Sequence, residues 1–94
     1  MTERMSVTLE RARVRLLLMF GLERQALARV LHHIEAHPFD AFSLATGAHL
    51  HASLGDPTAA QRLLERLVWL HPERADGWFN LGYVCESQGL LAAS

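Results

Sequence analysis

The chain has 94 residues, 50% of them hydrophobic and 20% charged, with a formal net charge of −1. That is the balance of one small globular domain with a modest core, not of a disordered chain. It also excludes a sequence-independent grip on nucleic acid, which needs clustered cations.

Taken in chain order, the first apolar run is RLLLMFGL at 15–22, too short to span a membrane. It follows acidic residues and ends in no small-residue cleavage site, so it does not read as a signal peptide. A soluble, cytoplasmic protein is expected. The run is read as the end of a helix over about 6–20, closed by Gly21, which adopts the left-handed conformation of a helix end without strain. A second helix over about 22–36 carries Leu27, Val30, Leu31 and Ile34 at amphipathic spacing and stops before Pro38, which pushes the preceding residue out of the α region. A third helix over about 40–54 ends at Gly55. In Gly55-Asp56-Pro57, Asp56 is placed to cap the next helix while Pro57 fills its first turn, where a missing N–H is harmless. The fourth, over about 57–70, shows Leu63, Leu64, Leu67, Val68 and Leu70 on one face before Pro72. The fifth, over about 74–88, is expected to end at Gly89.

These markers share one period. Gly21, Gly55 and Gly89 are evenly spaced, and His37-Pro38 and His71-Pro72 repeat at the same interval. Ala26 answers Ala60, Val30 answers Leu64, and Ile34 answers Val68. A helix pair repeated at this spacing cannot bury its apolar face alone; stacked pairs share a continuous core. Ala26, Ala48, Ala60 and Gly82 are the small residues expected to let neighbouring helices approach.

This pattern resembles the tetratricopeptide repeat family, whose unit is a helix–turn–helix of the same period. Trp78, Leu81, Gly82 and Cys85 match its motif in the third unit. The second unit matches through Leu44, Gly47, Ala48, His51, Ala60, Leu64, Leu67 and Pro72. In the first, Val14, Leu17, Ala26, Val30 and Pro38 hold the spacing, while Glu10 and Arg13 stand where Trp and Leu are usual. The resemblance implies an all-α, right-handed solenoid of antiparallel helix pairs with about five helices. After an N-terminal extension over 1–6, a single domain over 7–94 divides into units 7–40, 41–74 and an incomplete 75–94.

It further implies a concave groove lined by the first helix of each unit. Carried over position by position, the groove residues are Thr8, Arg11, Arg15, Leu18 and Met19, then Phe42, Ala45, His49, Ala52 and Ser53, then Asp76, Phe79, Tyr83, Glu86 and Ser87. Arg11 and Arg15 lie one turn apart, a spacing that can fork onto a carboxylate. A protein or peptide partner is the expected ligand, with neither nucleic acid nor membrane involved. The third unit stops before its second helix, so Trp78, Leu81, Cys85, Leu90 and Leu91 are expected to form an exposed packing surface that favours self-association. The alternatives are a structural fragment of a longer solenoid, or an accessory domain of an enzyme.

No catalytic set is legible. His33 and His37 are four apart on one helix, a spacing that can serve Zn²⁺, but His37 recurs as His71 at the Pro joint and is accounted for by the repeat. His49 and His51 are two apart and point to different helix faces. Cys85 occupies a packing position. A Gly-rich phosphate loop and a Ser/His/Asp set are both absent, so neither metal nor cofactor is expected, and the chain reads as non-enzymatic.

Overall fold

The computed structural model describes the backbone of residues 2–93 and the side chains of residues 8–89. It contains α1 (Thr2–Met19), α2 (Glu23–Ala36), α3 (Ala41–Ser53), α4 (Pro57–Leu70) and α5 (Ala75–Ala93), with no strand among the described residues. The protein is all-α, and the helices pack in chain order, each chiefly on the next. Among the described residues, no helix is long and apolar enough to cross a membrane.

The period read from the sequence is visible in the backbone of the corners. Gly21 and Gly55 both take positive φ, 71° and 87°. At the first, Leu22 N–H donates to the Leu17 carbonyl at 2.8 Å and Gly21 N–H to Leu18 at 3.1 Å. At the second, Asp56 N–H donates to His51 at 2.8 Å and Gly55 N–H to Ala52 at 3.1 Å. Both are Schellman closures, which satisfy the last carbonyls of a helix and favour Gly at the left-handed residue. The other corner type repeats as closely. His37 has φ −133° and ψ 70°, His71 has φ −132° and ψ 65°, and each precedes a Pro that excludes helical backbone. Asp56 Oδ1 accepts from Ala59 N–H at 3.2 Å, capping α4 as expected.

The core runs through Val14, Ala26, Val30, Ile34, Leu44, Ala48, Leu50, Ala60, Leu63, Leu64, Leu67 and Val84. Burial of a side chain such as Leu64 contributes about 1.5–3 kcal/mol. Ala26, Ala48 and Ala60 are buried between helices, as the spacing anticipates.

Three expectations need correction. First, α1 begins at Thr2, so residues 2–6, read as part of an N-terminal extension, are helical. Secondly, Gly89 does not end α5, which continues to Ala93; unlike Gly55, it is not followed by an Asp-Pro pair that caps and starts a new helix. Thirdly, Gly82 admits no close neighbour, because a Cβ there would meet nothing within 4 Å. The close approaches occur instead at Gly47, where a Cβ would lie 2.9 Å from Leu63 Cδ1, and at Gly77, 3.2 Å from Val68 Cγ1. Trp78 is 52% exposed.

Candidate partner-binding groove

The groove residues fall into two clusters. On the α1–α3 side, the Arg11 guanidinium carbon lies 4.9 Å from the centroid of the Phe42 ring, and that of Arg15 lies 5.8 Å away. A cation over an aromatic face is held by the ring quadrupole. On the α3–α5 side, a cleft of about 160 Å³ is lined by Ala45, Ala48, His49, Ala52, Leu64, Asn80, Tyr83 and Val84. The α3 residues that line it are small apart from His49, and Leu64 of α4 joins them. Arg15, His49 and Tyr83 hold equivalent places in the three units, one period apart.

Arg11 does not have the freedom the sequence suggests. Its Nη2 donates to Asp40 Oδ1 at 3.1 Å, so the carboxylate it engages belongs to this chain. Asp40 also caps α3, accepting from Ser43 Oγ at 2.6 Å and from Ser43 N–H at 3.3 Å. His33 Nε2 lies 3.6 Å from Asp40 Oδ2, and the imidazole of His33 stacks on His37 with centroids 4.5 Å apart. Asp40 therefore ties α1 and α2 to the start of α3. Burial pushes its carboxyl up, but the Ser43 hydroxyl and Arg11 outweigh that and hold it below the usual value. His33 is shifted down, first by burial and then by His37, against the pull of Asp40 and Glu10. The Arg11 Nε is buried and finds no acceptor among the described residues, consistent with a guanidinium turned over an aromatic ring.

The remaining assigned residues are scattered. Met19, Phe79, Tyr83, His49 and Glu86 are exposed, and of these only His49 and Tyr83 share the cleft. Asp76 is held by Arg74 through paired contacts of 3.1 and 2.8 Å. On the packing surface, Trp78 and Cys85 are exposed and Leu81 is half-buried against the core, while the side chains of Leu90 and Leu91 lie outside the described residues. The Trp78 indole N–H donates to the Pro72 carbonyl at 2.9 Å, fastening the ring to the preceding corner.

Sequence reasoning missed two participants. Asn80 belongs to the cleft, and its place one turn before Tyr83 on the same helix was the available signal. Asp40 was signalled by an Asp immediately before an apolar helix, the usual N-cap pattern. Among the described residues, no three His, Cys, Asp or Glu side chains converge as a metal-ligand set. A scan against protein-family models and a search of curated proteins match nothing to this chain.

Proposed function

We infer that the protein is a non-enzymatic, tetratricopeptide-like scaffold of the cytoplasm, a right-handed solenoid of antiparallel helix pairs that holds a peptide or helix of a partner protein in its groove. The solenoid reading draws support from the two corner geometries, each recurring after one period, and from helices that pack in chain order. Principal extents of 49 × 30 × 19 Å suit a row of helices rather than a closed bundle.

One observation carries the binding reading: the α3–α5 cleft, walled by His49 and Tyr83 from equivalent places in successive units. The three alanines that line it leave room for an apolar side chain of a partner. An aromatic ring with a phenol and an imidazole at the rim supply area and hydrogen bonds, the combination that concentrates binding energy. Arg15 extends the same line on α1 and favours a partner carrying an acidic residue.

Selection from a displayed library of short peptides and helices tests this directly. Enriched ligands should lose about tenfold or more in affinity on Tyr83→Ala or His49→Ala, with little change in melting temperature, since both side chains are exposed. Arg15→Ala should weaken acidic ligands selectively. Failure to enrich any ligand over a Tyr83→Ala, His49→Ala double variant would remove the groove reading.

A further inference from the structure

The face of α5 that carries Trp78, Gly82 and Cys85 is open. In α3 the equivalent positions are Leu44, Ala48 and His51, and there Leu44 is 0% exposed. Of the two helices packed on α3, α4 makes the more extensive contact and buries Ala60, Leu64 and Leu67 in the core, a small residue followed at intervals of four and three by large apolar ones. On α1, the partner helix α2 buries Ala26 and Val30 at the same spacing. The molecule thus states what covers such a face: a helix bearing small–x₃–large–x₂–large.

An uncommitted helix face with that spacing is present in the chain itself. Along α1, Ala12, Leu16 and Met19 repeat the intervals, and all three are exposed, Leu16 by 53% and Met19 by 79%. Leu9 continues the stripe and is also exposed. Beside it, Leu16, Leu17 and Phe20 line a shallow depression of about 410 Å³ flanked by Arg13 and Arg29, which offers an apolar seat and two guanidinium groups to an aromatic ring. Charge agrees with this pairing. α5 carries Asp76, paired with Arg74, and Glu86, with no cation, whereas Arg13, 4.0 Å from Glu10, and Arg15 are exposed on α1.

We propose that a second copy of this chain lays its α1 face, Ala12–Leu16–Met19, on the open α5 face at Trp78–Gly82–Cys85, joining copies head to tail. Gly82 lets the incoming helix approach closely, and Trp78 enters the depression between Arg13 and Arg29. The contact is heterologous, so an open assembly keeps one free α1 face at one end and one free α5 face at the other, and association grows with concentration unless a ring closes. Neither Leu16 nor Gly82 lines the α3–α5 cleft, so the groove reading and this one stand or fall separately.

Light scattering during size exclusion, across roughly a hundredfold range of concentration, tests it. The wild-type mass should rise well above the 10.5 kDa of one chain. Leu16→Glu and Gly82→Glu should each remain monomeric with unchanged helicity, because both sites face solvent. Mixed in equal amounts, the two variants should form a dimer, since each keeps the face that the other has lost. Should Leu16→Glu lose helicity, Leu9→Glu on the same stripe replaces it. A wild-type chain that stays monomeric would overturn the proposal. So would self-association of Leu16→Glu alone, which places α5 against α5, or a variant mixture that stays monomeric.

Discussion

In the proposed repeat, α3 and α5 are the same element in two surroundings. In α3, Leu44 and Ala48 are shut in beneath α4; one period later, Trp78 is half exposed and Gly82 looks onto open space. The register assigns both helices one role, but burial is set by the neighbour that packs on each. A motif residue therefore acquires its energetic weight only where a covering helix is present. Trp78 is the better match to the family pattern, yet Leu44 is the anchor.

The largest expected effect lies in this pair. Leu44→Ala should cost about 2–5 kcal/mol through lost burial and the cavity left behind. Trp78→Ala should cost only about 1–2 kcal/mol, for partial burial and one indole hydrogen bond. Urea denaturation at low protein concentration, where copies stay apart, measures both; equal losses would break the comparison.

A smaller effect sets the α1–α3 corner, rich in titratable groups, against α5. His33 has its folded pKa lowered from 6.5, so the folded state favours the neutral imidazole. That preference stabilises fully above the unfolded value and is lost as pH falls from there through the lowered folded one. Asp40, lowered from 3.8, contributes above that value and loses its contribution as pH falls through its own lower folded pKa. Melting temperature should therefore decline between about pH 8 and pH 5, and His33→Gln should flatten the decline. An unchanged slope in the variant would assign the pH dependence elsewhere.

Much of the fold was legible because its corners are written in residues with restricted backbones. Gly21, Gly55, Asp56 and Pro57 specify closures and a cap by local chemistry alone, and the structure follows them. Gly89 misled because a glycine ends a helix only where the following chain turns away, and α5 runs on through it to Ala93. Gly82 misled for a different reason: a small residue permits approach without supplying a neighbour. Spacing placed His49 and Tyr83 on one line. It had no means of showing that Arg11 turns inward to Asp40, since that pair is joined across 29 residues by tertiary packing.

The smallest effect gives the most direct test of the central claim, that α3 and α5 differ in cover rather than in kind. Gly47 and Gly82 both sit inside helices, where Ala is favoured over Gly by about 0.5–1 kcal/mol. At Gly82 the added methyl meets nothing, so Gly82→Ala should deliver that gain in full. At Gly47 it meets Leu63, Val30 and Ile34, and overpacking of about 1–3 kcal/mol should cancel or reverse the gain. Thermal denaturation of the two variants side by side should show Gly82→Ala above wild type and Gly47→Ala at or below it. Equal stabilisation at both positions would contradict the account.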